Sequence, residues 1–489
     1  MKTITGRRTL LGTSLALPFV ARASVARAAT PVLDLSNWTP ETIAAIAGTI
    51  GVDTAAECSR VVPLNTKGRV SYWYVGPNQA SSDIEKRMDA AFWDAFRKTY
   101  PNITVDTQNL DYNQMLNKVR TAALGNAAPA VARMPILWGV EFAAKGQLAQ
   151  LHPEDVGYPT SEFWPAALKS VTWQDKTYGV PTNNETMALI WNAALFKTAG
   201  LDPESPPATW DDLVQYSKQI KEKTGKNGYG LVARTNAGNT PFRVMPSLWA
   251  YGGGALDEAS DHPAYKTVTI NNAGSKAAVQ AAYDMYVRDR SVPTSALTNT
   301  QTENQDPFIA GQLAMMISHP SEYGAMLDRA AKATGDDKAV ADAVVANMRY
   351  GLIPKGSARR AVVFGGSNIH MFKPEVTGGQ VDQDAARALI AFMCGPEWST
   401  KLAWNVSNPG NQRGFRTTWM KQRLQEIKFL NVTTSMMPNG IPFPVIPESG
   451  EIMNVIVPDM MQNALTRKMT VSAACDDAAK RIKGLLTGL

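Results

Sequence analysis

The chain has 489 residues, of which 44% are hydrophobic and 19% are charged. This length predicts more than one domain, and this composition is typical of globular proteins with a large core. The formal net charge is +6, but residues 1–28 hold five basic residues and no acid, which leaves +1 for the remainder. A nearly neutral chain gives no indication of nucleic-acid binding. We therefore expect no nucleic-acid partner.

Residues 1–28 have the pattern of a secretory signal peptide. A basic start precedes an apolar run at residues 10–20, and small residues surround Arg27. Such a segment is too short to cross a bilayer as a mature helix. Arg7 and Arg8, followed by Thr-Leu-Leu, resemble the twin-arginine export signal, and general secretion is the alternative. We expect an exported, soluble protein.

After an N-terminal extension at residues 29–67, for which the sequence indicates no function, strands alternate with helices. Strands are predicted at residues 69–76, 103–107 and 129–135, and helices at residues 81–99, 111–124 and 142–148. This alternation is typical of a parallel α/β sheet with covering helices.

Residues 178–200 contain a strand end, a turn at Pro181, a polar run and then an apolar strand at residues 187–191. A chain that leaves one strand, crosses a polar gap and enters another strand can pass between two lobes. The polar gap, residues 182–186, is then a place where a ligand can bind.

Regular elements are also predicted through the rest of the chain. Helices are expected at residues 210–223, 241–250, 275–290, 383–393, 396–405, 455–466 and 471–486, and strands at residues 229–234, 313–318, 350–354 and 361–364.

Short motifs occur in a recognisable order. Residues 173–181 are similar to "hydrophobic-x-G-K-x-Y-G-x-P". The others are residues 101–105 ("P-x-I-x-V"), 127–131 ("A-P-D-V-V", with Ala130 where Asp is usual), 191–203 ("Y-N-x-x-L-F-x-x-A-G-L-x-P"), 209–213 ("T-W-D-E-L") and 311–316 ("G-x-A-A-M"). Over residues 69–486 the chain thus resembles extracellular solute-binding protein family 1, the maltose-binding-protein-like sugar-binding components of ABC importers.

The resemblance implies an α/β, two-lobed periplasmic-binding-protein fold of type II, in which each lobe is discontinuous in sequence. We expect crossovers near residues 181–186, 297–306 and 364–368. The expected first lobe is residues 68–182 plus 304–364, and the expected second lobe is residues 183–303 plus 365–489. A ligand would lie in the cleft, and closure would be a hinge motion.

Sugar sites combine planar polar side chains with aromatic rings. Asn183, Asn184 and Glu185 of the first crossover are candidates of the polar kind, and a solvated turn is the alternative. Trp249, Tyr251 and Gly252 open a glycine run that could bring a ring against a sugar. The alternative is a core tryptophan followed by a helix cap.

The remaining candidates follow from the resemblance. His319 and Tyr323 stand where the family has Gly-Pro-Trp, although a structural imidazole is the alternative for His319. Arg413 lies in a segment like the family's "P-x-R" and could clamp a hydroxyl pair or a carboxylate, or form a surface ion pair. Gly366 and Asn368 of the return crossover complete the set, with the first-lobe positions Tyr74, Asn78, Asp111 and Trp138.

These features predict a monomeric binding protein that captures a carbohydrate and delivers it to the membrane permease subunits of an ABC importer. No cysteine lies at the presumed cleavage site, so we expect no lipid anchor and a periplasmic location. We also expect no catalysis, metal or cofactor, since the histidines form no zinc pattern. The alternatives are a secreted glycosidase or lyase with paired carboxylates, and a binding protein for a polyamine, a phosphate ester or iron.

Overall fold

The computed structural model describes residues 52–76, 83–136, 138–235, 239–257, 267–300, 302–379, 381–403 and 407–487. The predicted signal peptide, residues 29–51 of the extension and Asn78 lie outside the described residues. Within the described part, no helix is both long and apolar enough to cross a membrane. The cysteines, Cys58, Cys394 and Cys475, are all buried and unpaired.

The strands of the described chain are β1 Gly68–Tyr74, β2 Ile103–Asn109, β3 Val131–Pro135, β4 Thr172–Trp173, β5 Lys176–Thr177, β6 Val180–Glu185, β7 Ala188–Asn192, β8 Asn227–Tyr229, β9 Leu313–Ser318, β10 Met348–Gly351, β11 Val362–Val363, β12 Gly365–Met371, β13 Asn408–Pro409 and β14 Gly440–Ile441.

The α-helices are Thr54–Ser59, Asp83–Thr99, Tyr112–Leu124, Gly139–Ala144, Pro165–Lys169, Ala193–Thr198, Trp210–Thr224, Thr240–Ala250, Ala273–Tyr283, Thr302–Ile309, Pro320–Lys332, Gly335–Ala346, Gln383–Cys394, Pro396–Lys401, Thr418–Glu426, Lys428–Met436, Ser449–Glu451, Val457–Leu465 and Val471–Leu486. Two π-helical turns, Asp284–Arg288 and Ile452–Ile456, continue into or out of these helices.

The first lobe is built on a sheet with the strand order β13-β6-β12-β3-β1-β2. Side chains alternate along a strand, so Val70, Tyr72 and Tyr74 of β1 share a buried face. They pack against the helix Asp83–Thr99, which contributes Phe92 to the same core. The core of this lobe is therefore aromatic and is set by a period-two pattern that is visible in the sequence.

The second lobe is built on a sheet with the order β10-β7-β9-β8. Every residue of β7 and β9 is buried, because helices cover both faces of the sheet. Leu189 and Trp191 face one hydrophobic cluster, and Ala188 and Ile190 face the other. A strand that is buried on both faces carries a continuous apolar run, as these two do.

The chain passes from the first sheet to the second between β6 and β7 and returns between β11 and β12. It crosses a last time after β13, because the helix Thr418–Glu426 packs with the second lobe through Met420. Of the three crossovers expected from the sequence, the one at residues 181–186 lies at the passage from β6 to β7, and the one at residues 364–368 lies at the passage from β11 to β12.

The strand pairing corrects the expected division of the chain. We expected residues 304–364 in the first lobe, but β9 pairs with β7 and β8 in the second sheet. We also expected residues 365–489 in the second lobe, but β12 and β13 pair with β6 in the first sheet. Accordingly, no crossover lies at residues 297–306 in the described chain. The cause is that strand partners are distant in sequence, whereas the periodicity used to find strands is local.

The end of the N-terminal extension belongs to the first lobe. Cys58 and Val62 lie in its core, and the Tyr100 hydroxyl donates to the carbonyl oxygens of both, at 3.2 Å and 3.1 Å. Glu57 forms an ion pair with Arg413 at 2.6 Å. The part of the extension that the structure describes therefore packs as a short helical strap beside the last crossover.

Candidate functional site

A cavity of about 640 Å³ lies between the two lobes. β1 and β3 run parallel, and β12 runs antiparallel to both β3 and β6, so β1, β3 and β6 all end at one edge of the first sheet. Side chains at those ends line the cavity. From the second lobe, the N-terminal ends of the helices Thr240–Ala250 and Pro320–Lys332 face them.

The lining residues come from both lobes. The first lobe supplies Val75, Leu116, Asn117, Arg133, Pro135, Ile136, Trp138, Asn183, Glu185, Gly365, Gly366, Ser367 and Leu402, and the second supplies Asn239, Phe242, His319, Ser321, Glu322 and Asn454. Clefts between domains at strand ends are the usual ligand sites of α/β proteins.

Arg133 of β3 is fixed on the first-lobe wall by two hydrogen bonds. Its Nε donates to Thr182 Oγ1 at 3.0 Å, and its Nη2 donates to Asn183 Oδ1 at 2.8 Å. The Thr182 hydroxyl donates in turn to the Ser367 carbonyl oxygen at 2.9 Å. Neighbouring strands therefore hold the guanidinium in one orientation, beside the cavity.

Glu185 and His319 form an ion pair across the cleft. His319 Nε2 lies 2.6 Å from Glu185 Oε2, and Asn183 Nδ2 donates to Glu185 Oε1 at 3.2 Å. Burial is the largest influence on the pKa of His319 and lowers it, but the Glu185 and Glu322 carboxylates together outweigh burial and raise that pKa. Burial is also the largest influence on the pKa of Glu185 and raises it, but His319, Arg133 and the Asn183 amide together outweigh burial and lower that pKa. Both directions favour the charged pair.

A second, more deeply buried ion pair supports this wall. Arg243 Nη2 donates to Glu322 Oε1, and Glu322 Oε2 accepts the His319 backbone N–H at 3.0 Å. Glu322 thereby caps the first turn of the helix Pro320–Lys332. His319 and Ser321, whose hydroxyl lies 3.2 Å from His319 Nδ1, are held at the cavity by this cap.

Among the lining residues that the structure describes, one aromatic ring lies on each wall. Trp138 precedes the helix Gly139–Ala144 in the first lobe. Phe242 of the second lobe packs edge-to-face on Phe443, with 5.0 Å between ring centroids, and is half-buried. Rings of this kind can contact the apolar C–H face of a ligand, while the nearby amides and hydroxyls bind its polar edge.

Five residues proposed from the sequence line the cavity, namely Trp138, Asn183, Glu185, His319 and Gly366. Gly366 has φ +130°. A Cβ at this position would lie 2.1 Å from the Asn183 carbonyl oxygen. Glycine is therefore required for β12 to approach β6 beside the cavity.

The other first-lobe candidates among the described residues lie outside the lining. The Tyr74 ring stacks on Tyr72, and its hydroxyl donates to Asp89 at 2.9 Å. Asp111 precedes the helix Tyr112–Leu124, and its backbone carbonyl oxygen accepts hydrogen bonds from the backbone N–H groups of Gln114 and Met115, at 3.1 Å and 2.9 Å. Asn368 is buried and donates to Ser170 Oγ at 3.0 Å.

Asn184 and Arg413 also lie outside the lining. Asn184 Nδ2 donates to the carbonyl oxygens of Pro409 and Gly410, at 3.0 Å and 3.4 Å. Arg413 pairs with Glu57 and is 3.8 Å from Glu162. Both side chains therefore hold the last crossover to the first lobe.

The second-lobe candidates outside the lining have structural partners. Trp249 is fully buried, and the Tyr251 hydroxyl donates to Asp211 at 2.5 Å. Gly252 lies just after the end of the helix Thr240–Ala250 and has φ +84°, the left-handed conformation typical of a glycine that ends a helix. Tyr323 is buried and stacks on Phe429 with 4.4 Å between centroids.

Sequence inspection missed most of the polar lining, including Arg133, Asn239, Ser321 and Glu322, and also missed the Phe242 ring. Arg133 had a usable signal, because it is a charged residue within an otherwise apolar predicted strand. Ser321 and Glu322 had another, because they follow a buried strand at a helix start. Among the described residues, no group of three or more His, Cys, Asp or Glu side chains is placed to hold a metal ion.

The two lobes and the cleft between them define a two-lobed solute-binding protein. Residues 79–400 match the sequence model of the bacterial extracellular solute-binding proteins, and the chain belongs to that family. This confirms the predicted family and fold class.

Solved structures of similar proteins share the whole fold. The GacH receptor of Streptomyces glaucescens, solved unliganded and with acarbose, aligns over 86% of this chain and 99% of its own, with TM-score 0.69 and 24% identity. A maltose-bound MalE3 of T. maritima aligns over 85% and 99%, with TM-score 0.67 and 22% identity.

Relatives at the sequence level cover the chain to different extents. A binding protein of Brucella abortus is 23% identical over 80% of this chain and 88% of its own. The sn-glycerol-3-phosphate-binding periplasmic protein UgpB of Escherichia coli is 49% identical, but over only 26% of this chain and 30% of its own.

Proposed function

We propose that this protein is a periplasmic binding protein that captures a carbohydrate and delivers it to the permease subunits of an ABC importer. The observation that carries the proposal is the cleft lining, which combines one ring on each wall with amide and hydroxyl groups from both lobes. Solved relatives are bound to maltose and to acarbose, which supports a polyhydroxylated ligand.

The ligand would contact both lobes at once. Contacts that exist only when both walls touch the ligand favour the closed arrangement, and a ligand can shift the equilibrium only by this difference in affinity. Asn183 and Trp138 would contribute from the first lobe, and Phe242 and Asn454 from the second.

A thermal-shift panel of neutral sugars, polyamines, phosphate esters and iron tests this proposal. A sugar at about 100 times its dissociation constant should add about 2.7 kcal/mol to the free energy of unfolding. Stabilisation by sugars supports the proposal. Stabilisation by polyamines or iron alone would contradict it.

Turnover measurements on the same purified protein separate binding from catalysis. Oligosaccharides incubated with the protein should be recovered intact, because the Glu185 carboxylate is ion-paired with His319 and has no role in cleaving a bond. Release of shortened sugars would favour the secreted-enzyme alternative.

A further inference from the structure

We propose that Arg133, beside the Glu185–His319 ion pair, forms a subsite for one anionic group, so that the captured solute is an anionic polyol carrying a carboxylate or a phosphate. This inference rests on the proposed function and narrows its ligand class. It follows from how the charged side chains of the cleft are paired.

Arg133 is bonded only to neutral groups in the part of the chain that the structure describes. Its Nε and Nη2 donate to Thr182 Oγ1 and Asn183 Oδ1, and Nη1 has no hydrogen-bond partner among the described residues. Arg133 also lines the cavity and is only half-buried. A guanidinium that is held by two hydrogen bonds and lines a cleft is suited to a carboxylate or phosphate oxygen.

The other charged groups beside the cavity are paired. Glu322 is bound by Arg243, and Glu185 is bound by His319. When His319 is protonated, these two pairs are neutral and Arg133 leaves one positive charge in the cleft. An anionic group then neutralises the cleft, whereas a neutral sugar leaves the charge unpaired as water is excluded.

The protonation of His319 decides how an anion meets Glu185. The charged groups around His319 are Glu185 of β6, Glu322 of the helix that follows His319, and Arg243 of the helix Thr240–Ala250. Glu185 also faces Arg133 from β3. If His319 loses its proton, the Glu185 carboxylate is no longer neutralised and repels an anion nearby. Affinity for an anion should therefore fall as pH rises through the raised pKa of His319, while affinity for a neutral polyol should not.

The test is calorimetry and thermal shift with matched sets, each a neutral sugar, its uronic acid and its phosphate ester, with inorganic phosphate as a further probe. We expect an acid or an ester to bind at least tenfold more tightly than its neutral partner. Arg133→Gln should bind the acid or the ester about 10- to 100-fold more weakly than the wild type does. Arg133→Lys should lose less affinity for them, because the charge remains. Arg349→Gln is the control, since Arg349 pairs with Glu204 at 2.9 Å and neither residue lines the cavity.

Each outcome separates this inference from the proposed function. If neutral sugars bind as tightly as their charged partners, or if Arg133→Gln leaves the ratio unchanged, the anionic subsite is wrong and sugar binding stands. If only inorganic phosphate binds, or nothing binds, the proposed function fails and the inference fails with it. A preference for the ester over the acid, or the reverse, identifies which anion occupies the subsite.

Discussion

Replacing Asn184 by alanine should weaken the fold rather than the binding of ligand. The buried carboxamide donates to the Pro409 carbonyl oxygen at 3.0 Å and to that of Gly410 at 3.4 Å. Deleting a buried donor leaves its acceptors without that partner, which costs about 1–3 kcal/mol. We therefore expect the free energy of unfolding to fall by about 2 kcal/mol, with ligand affinity changed less than threefold.

Urea unfolding followed by circular dichroism measures the first quantity, and calorimetry with the best sugar from the panel measures the second. Asn183→Ala is the matched control, because the neighbouring side chain lies on the opposite face of β6 and lines the cavity. It should weaken binding about tenfold. Because Asn183 also bonds Arg133 and Glu185, the free energy of unfolding should fall in both variants, and ligand affinity is the quantity that distinguishes them. The reasoning is refuted if Asn184→Ala weakens binding as much as Asn183→Ala while its urea midpoint matches that of the wild type.

The remaining predictions concern pH and the two rings. Burial lowers the pKa of His370 from its ordinary 6.5 to about 4, so between these values the unfolded chain binds a proton that the folded chain does not, and stability rises with pH. Acidification from neutral pH to about pH 4 should therefore lower the free energy of unfolding by about 3 kcal/mol through this residue. In His370→Gln, the free energy of unfolding measured in urea should depend less steeply on pH. An unchanged pH dependence in that variant would contradict this prediction. Trp138→Ala and Phe242→Ala should each weaken ligand binding roughly tenfold in calorimetry, and wild-type affinity in both variants would show that neither ring touches the ligand.

Much of the fold could be predicted because its signals are local. Apolar runs gave β7 and β9 nearly to the residue, and a capped amphipathic pattern gave the helix Trp210–Thr224. The lobe to which a strand belongs was not predictable in this way. β9 is apolar on both faces, and such a strand would be equally stable in either sheet, so its pairing with β7 is decided by tertiary contacts.

The site was predicted in part, and the errors have identifiable causes. Residues 182–186 were interpreted as a polar gap, whereas most of them continue β6. If these residues had been interpreted as a strand, alternation would have placed Asn183 and Glu185 on one face of the sheet and Asn184 on the other. Tyr323 shares helical spacing with the buried Met326 and Ala330, which indicates a core position rather than a stacking ring.

The first sheet combines early strands with a strand from much later in the chain, and this affects the order in which the protein can fold during synthesis. β6 and β3 are made early, but β12, which lies between them in the first sheet, begins only at Gly365. The sheet therefore stays split, with unpaired strand edges, until three quarters of the chain has emerged. Contacts this distant in sequence fold slowly and leave intermediates prone to aggregation. A fragment that ends anywhere before residue 371 should fail to yield a stable first lobe, so the first-lobe wall of the binding cleft is completed only after all four strands of the second sheet have been made.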